Sequence, residues 1–220
     1  MSLAPQRRAL ADSVRWLVRR GLLAGTSGNV SCRTPGGLLI TPTGIAWDDV
    51  PASAMVPLDG NDREDRDDRH RGRLLPSSEW RLHRDLYASR PDIGAIVHTH
   101  STFATALACL RRPVPAFHYM VAKAGGADVR CARYATYGTA ELSRNAARAL
   151  RARRACLLAN HGLVAVGADL AVARQLAEEI EAMCAQYLAA RAGGAPVLLP
   201  AREMREVARK FAGYGQPRRR

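Results

Sequence analysis

The chain has 220 residues, enough for one sizeable core, and its 47% hydrophobic and 24% charged residues are the balance of an ordinary globular protein. Its formal net charge of +13 is nearly all arginine, scattered among acids and not gathered into a stripe with aromatics, which argues against nucleic acid as a partner. The five cysteines (Cys32, Cys109, Cys131, Cys156, Cys184) include no Cys-x-x-Cys pair and charges interrupt the N-terminal apolar run, so reduced thiols in a cytoplasm are expected, without a signal peptide.

The first predicted element is an amphipathic helix from Ala4 to Arg20, with Leu10, Val14, Leu17 and Val18 on one face and Gly21 as its cap. A glycine-rich loop, Gly25 to Asn29, leads into a strand at Val30–Arg33, a turn at Pro35-Gly36-Gly37 and a return strand at Leu38–Ile40. Asp59 to Arg73 holds six acids and five arginines with almost no apolar residue, so it reads as an exposed loop. Pro76-Ser77-Ser78-Glu79 opens a helix that carries Trp80, His83 and Tyr87 on one face. Ile93 to Leu110 has no Asp, Glu, Lys or Arg, but its two histidines, serine and three threonines favour a buried strand and buried helix over a membrane span. Ser101 or Thr102 is placed to cap that helix. Beyond Pro113 and Pro115 the pattern predicts a strand around Cys131 to Tyr137, a helix from Thr139 to about Arg151, and a strand pair, Ala155–Ala159 and Leu163–Val166. A long helix from Leu170 to about Ala190 and a last one ending near Phe211 complete the chain. Strands grouped between helices predict an α/β fold, one domain over 1–220, with a sheet covered on both faces and a tail from 212 to 220.

The chemistry concentrates where elements end. Along a strand the side-chain period is two, so His98 and His100 point to one face. His161 follows a second apolar strand and precedes Gly162, where structure alone has little use for an imidazole. Three neutral imidazoles with an open fourth position describe a catalytic zinc site, with manganese or cobalt as other candidates. Glu79 is the natural acid–base partner, although a carboxylate in a helix first turn also serves the macrodipole. Gly28-Asn29, Thr43-Gly44 and Ser77-Ser78 each offer backbone N–H groups and a short polar side chain, and Ser77 and Ser78 stand at a helix N-terminus. Singly these are turns or caps; brought together they would cradle a phosphate.

Five motifs in order, Gly25-Thr-Ser-Gly-Asn29, Ile40-Thr-Pro-Thr-Gly44, Leu75-Pro-Ser-Ser-Glu79, Val97-His-Thr-His100 and Asn160-His-Gly162, resemble the class II aldolase/adducin family, and within it the fuculose-phosphate aldolases of bacteria. The resemblance spans nearly the whole chain. It implies a three-layer α/β/α sandwich around a mainly antiparallel sheet, in a homotetramer with sites near subunit boundaries. It assigns zinc to His98, His100 and His161, with Glu79 as acid–base group and occasional fourth ligand. It assigns phosphate to Gly28, Asn29, Thr43, Gly44, Ser77 and Ser78. Tyr119 matches a tyrosine reaching into a neighbour's site, and Tyr214 one that covers the substrate. The implied reaction is reversible cleavage of a ketose 1-phosphate resembling L-fuculose 1-phosphate to dihydroxyacetone phosphate and an aldehyde. A methylthioribulose-phosphate dehydratase, a pentulose-phosphate 4-epimerase and a non-catalytic adducin-like binding protein are the alternatives on this fold. Tyr137 and Asn160 depart from the closest pattern, which has phenylalanine and histidine there. Neither Lys123 nor Lys210 lies in a motif, which disfavours a Schiff base.

Overall fold

Apolar periodicity becomes helix and strand close to the expected places in a computed structural model that describes residues 2–59, 74–211 and 213. Helix α1 (Ala4–Arg19) buries Leu10, Val14 and Leu17 and ends where Gly21 takes a φ of 67°. Strands β1 (Asn29–Thr34) and β2 (Gly37–Ile40) form the hairpin, and β3 (Val56–Asp59) extends it. Next come α2 (Trp80–Ser89), β4 (Ala95–Thr99), α3 (Thr102–Cys109), β5 (Arg130–Ala132) and α4 (Ala140–Ala149). The chain then continues through β6 (Ala155–Leu158), β7 (Gly162–Gly167), α5 (Leu170–Gly193) and α6 (Ala201–Phe211).

The seven strands lie in the order β3-β2-β1-β4-β7-β6-β5. Every neighbouring pair is antiparallel except β5 with β6. The period of two then divides each strand between two cores. Val30, Val97, Leu157 and Leu163 join the core under α1, α3, α5 and α6. Ile96, Cys156, Val164 and Val166 join the core under α2 and α4. The result is the expected three-layer α/β/α sandwich, with β4 in the middle of the sheet and buried along its whole length.

Several expectations need correction. The sequence pattern predicts no strand at β3; its alternating burial is short and contains Pro57, which a sheet tolerates because β3 is an edge strand. Asp59 closes β3 and does not begin the charged loop, whose remaining residues, 60–73, lie outside the described ones. Strand β5 stops at Ala132, well short of Tyr137; among the described residues it pairs with β6 alone, at the sheet's other edge. Helix α2 starts at Trp80, so Ser77 to Glu79 form the turn before it. Helix α3 is only partly covered, with Phe103 and Leu110 exposed, yet among the described residues no helix is long and apolar enough to cross a membrane.

The start of α3 is held in an unexpected way. Ser101 is at its N-cap position but makes no side-chain cap. Its hydroxyl donates instead to Glu181 Oε2 on α5 at 2.7 Å, and the same carboxylate accepts the backbone N–H groups of Phe103 and Ala104, each at 2.8 Å. Glu181 thus caps α3 from a neighbouring helix. Glu181→Ala should lower stability by about 1–3 kcal/mol, the range for a lost cap with charge-assisted bonds. A urea unfolding midpoint equal to that of the unsubstituted protein would show that the clamp contributes nothing.

Candidate metal centre and cleft

The site forms where β1, β4 and the β6–β7 hairpin meet the turn before α2. Asn29 and His98 are direct partners across the β1–β4 pair, so their side chains emerge side by side. The hairpin turn is Ala159-Asn160-His161, and Asn160 adopts a φ of 52°, a left-handed conformation that asparagine tolerates better than most residues. Gly162 then passes so close to the end of β4 that a Cβ there would lie 2.3 Å from the Thr99 carbonyl oxygen. The missing side chain is what lets the hairpin bring His161 to His98 and His100. Gly28 makes the matching approach from β1: a Cβ there would lie 2.7 Å from the His98 carbonyl oxygen.

The three imidazoles stand nearly perpendicular to one another, at 74° to 80°, with ring centroids 4.8 to 4.9 Å apart. His98 Nε2 is 3.0 Å from His100 Nε2 and 3.0 Å from Glu79 Oε2. Glu79 Oε1 is 3.4 Å from His161 Nε2. One donor atom from each of these four residues falls within 4.8 Å of all the others.

The donor chemistry fits a divalent metal. His98 Nδ1 lies 2.9 Å from the Leu163 carbonyl, an oxygen that can only accept, so Nδ1 carries a proton and Nε2 turns toward the cluster. Burial lowers the His100 and His161 pKa values to about 4, helped by the charge on His98, which leaves both rings neutral with lone pairs available. Burial also disfavours a charged His98, but the Glu79 carboxylate overrides it and raises the His98 pKa. Burial pushes the Glu79 carboxyl up, and the charge and hydrogen bond of His98 more than reverse this, with smaller help from His161 and Asn29; the group is held well below the usual carboxylate range. A proton shared between His98 and Glu79 would answer only one of these contacts. Glu79 Oε1 is buried with no hydrogen-bond partner, and an ion bound by all four residues would satisfy it.

Beside this cluster runs a cleft of about 270 Å³, slightly below the roughly 300–1,000 Å³ common for small-molecule pockets. Gly28, Asn29, Thr43, Gly44, Ser77 and Ser78 all line it, together with Glu79, His100 and His161. The three loops expected to cradle a phosphate therefore do converge on one cleft. Their donors are fewer than the sequence suggests, however. The Thr43 and Ser77 N–H groups are bound to the carbonyls of Leu75 and Thr41, so these two residues offer hydroxyls. The Asn29 side chain turns inward, donating to Glu79 Oε2 at 3.0 Å and accepting from His83 at 2.5 Å. Glu79 makes no cap for α2; its carboxylate faces the histidines.

Tyr119 does not line this cleft. It is half exposed, stacked between His118 and Phe211 at centroid distances of 4.7 and 6.2 Å. Tyr214 lies outside the described residues. Tyr134 and Tyr137 line the cleft from the segment after β5, and Arg111 donates to Asn160 Oδ1 at 2.6 Å. The sequence pattern places His83 on a helix face and nothing more. The spacing of Glu79, His83 and Tyr87, four residues apart and so in line on a helix, was the signal that could have set it beside the site.

Residues 8–188 match the family described as class II aldolase and adducin N-terminal domain. The chain is 50% identical over 209 residues to the 5-methylthioribulose-1-phosphate/5-deoxyribulose-1-phosphate aldolase of Rhodospirillum rubrum, covering 95% of this chain and 92% of that one. It is 46% identical over 209 residues to the L-fuculose phosphate aldolase of Escherichia coli O6:H1, covering 94% of each. A solved structure of L-fuculose 1-phosphate aldolase superposes with a TM-score of 0.85 at 44% identity, covering 94% of this chain and 95% of that one.

The donor set predicts one divalent ion per chain. Protein stripped with a chelator and dialysed against zinc should take up one equivalent by elemental analysis, and His98→Ala should weaken uptake at least about tenfold. Uptake unaffected by the substitution would place the ion elsewhere.

Proposed function

This chain belongs to the class II aldolase and adducin family and is a class II aldolase, and from that premise we propose that it uses zinc to cleave a ketose 1-phosphate reversibly into dihydroxyacetone phosphate and a short aldehyde. The observation that carries this reading is the convergence of three imidazoles and a buried carboxylate beside a cleft walled by hydroxyl- and amide-bearing loops.

His98, His100 and His161 would hold the metal, with Glu79 as a fourth donor. When bound, the ion supplies Lewis-acid stabilisation of the charge that develops on the substrate's carbonyl oxygen, worth several kcal/mol. The loops at Gly28-Asn29, Thr43-Gly44 and Ser77-Ser78 bind the phosphate and fix the distance from it to the reacting carbons. Breaking the bond between carbons 3 and 4 moves one proton off the carbon-4 hydroxyl and one onto carbon 3. Glu79, ionised at rest, first gains a proton to match the one released from the carbon-4 hydroxyl, then delivers it to carbon 3 and, in the synthetic direction, removes it. Tyr119, entering from a neighbouring subunit of a cytoplasmic homotetramer, assists loss of the first, and Tyr214 covers the bound substrate. That assignment agrees with the absence of Tyr119 from the cleft of its own chain.

The aldehyde half remains to be chosen. The sequence pointed to L-fuculose 1-phosphate, while the relative at 50% identity is named for methylthioribulose and deoxyribulose phosphates. All three substrates end in a methyl or methylthio group, and the rings of Tyr134 and Tyr137 in the cleft offer an apolar wall for such an end. We therefore propose 5-deoxy- and 5-methylthioribulose 1-phosphate as the principal substrates and L-fuculose 1-phosphate as a secondary one.

A panel of these three sugars, with coupled detection of dihydroxyacetone phosphate, tests the reading directly. Release of water without carbon–carbon cleavage would replace the aldolase with a dehydratase. Glu79→Gln should reduce kcat at least about a hundredfold, the lower end for general acid–base catalysis. Near-normal turnover in that variant would remove Glu79 from the reaction.

A further inference from the structure

We propose that His83 is a positioning residue of this site: it holds the Asn29 amide in one orientation, so that its N–H engages Glu79 Oε2 and leaves Oε1 turned to the metal-ligating histidines. The proposal rests on the aldolase reading and extends it one layer deeper into the protein.

Four hydrogen bonds run in line from the second core to the carboxylate. Tyr87 Oη is 2.8 Å from Ser31 Oγ, and Ser31 Oγ is 2.7 Å from His83 Nδ1. His83 Nε2 is 2.5 Å from Asn29 Oδ1, and Asn29 Nδ2 is 3.0 Å from Glu79 Oε2. All five residues are buried, so water cannot replace a misdirected bond.

The direction of the chain follows from its charged end. Glu79 Oε2 can only accept, so the amide must present Nδ2 to it and Oδ1 to His83. Oδ1 can only accept as well, so His83 carries its proton on Nε2. Burial lowers the His83 pKa to about 3, which keeps the ring neutral and Nδ1 an acceptor. Ser31 must then donate to Nδ1, and Tyr87 must donate to Ser31. Every hydrogen points toward Glu79. Reversing the amide would set two acceptor oxygens face to face beside a buried carboxylate. The outcome is an asymmetric carboxylate: Oε2 is anchored by Asn29, while Oε1 has no hydrogen-bond partner.

The sequence and sheet register assemble this relay. Asn29 and Ser31 are two apart on β1 and share the face of His98, while His83 and Tyr87 are four apart on α2, which packs on that face.

Three variants and two readouts test the proposal. His83→Leu removes the donor to Asn29 and should lower kcat about 10- to 100-fold, the usual range for a group supporting a metal site, with KM changed by less than about threefold since it touches no substrate. His83→Gln can still offer an amide N–H to Asn29 and should recover kcat to within about fivefold of the unsubstituted enzyme. Ser31→Ala removes the hydroxyl that sets the His83 tautomer, with little loss of volume, and should fall between the two. Cobalt-loaded protein supplies a readout without turnover: its visible spectrum should shift in His83→Leu toward that of Glu79→Gln and stay native in His83→Gln. Equal losses in His83→Leu and His83→Gln, or native kcat and spectrum in His83→Leu, would overturn the assignment. If His83→Leu does not fold, native kcat and spectrum in Ser31→Ala overturn it instead. If the unsubstituted enzyme releases no dihydroxyacetone phosphate, the aldolase reading fails by itself and the cobalt spectra still decide the role of His83.

Discussion

A carboxylate taken out of water costs several kcal/mol unless charge and hydrogen bonds meet it, and the arrangement around Glu79 answers that cost. The residue is only 5% exposed. Its oxygens are met by Asn29 from β1, His98 from β4 and His161 from the hairpin between β6 and β7. Three segments distant along the chain must converge on one side chain, so β1, β4 and β7 must be neighbours. The sheet order supplies that adjacency. The close approaches at Gly28 and Gly162 remove the last obstruction.

The end of β4 is secured from both layers of helices. On the α2 side the Asn29–His83 relay holds Glu79 against His98. On the α5 side Glu181 takes the Ser101 hydroxyl and the first free N–H groups of α3, fixing the backbone immediately after His100. Within the sheet, the Leu163 carbonyl orients the His98 ring. One carboxylate faces the three imidazoles and the other holds the scaffold. Their places in the sequence do not distinguish them, since Glu79 precedes one helix and Glu181 lies within another.

Much of this was legible in the residues. The His-x-His run on an uncharged strand, a third histidine before a glycine and the alternating apolar strands predicted both the cluster and the covered sheet. What escaped reading depended on contacts between elements. Glu79 is expected beside the metal, but its spacing fits a helix-terminal charge as well, and the turn before α2 is what carries its carboxylate to the histidines. Asn29 reads as one member of a glycine-rich turn, and nothing local shows that its amide is engaged by His83. Ser101 has the chemistry of a cap, but a helix 80 residues later claims its hydroxyl. Strand β3 is too short and too interrupted by Pro57 to stand out without the hairpin it extends.

The pairing of Asn29 with His98 also bears on how such a protein can change. Because side chains alternate between faces, an insertion of a single residue within β1 would invert the strand's display beyond that point. Polar groups that now meet α2 would be driven among the aliphatic side chains of α1 and α5, and those would be turned toward the active centre. Length can therefore drift in the surface connections, but not between Gly28 and Ser31, where one added residue would cost both the packing and the catalyst at a stroke.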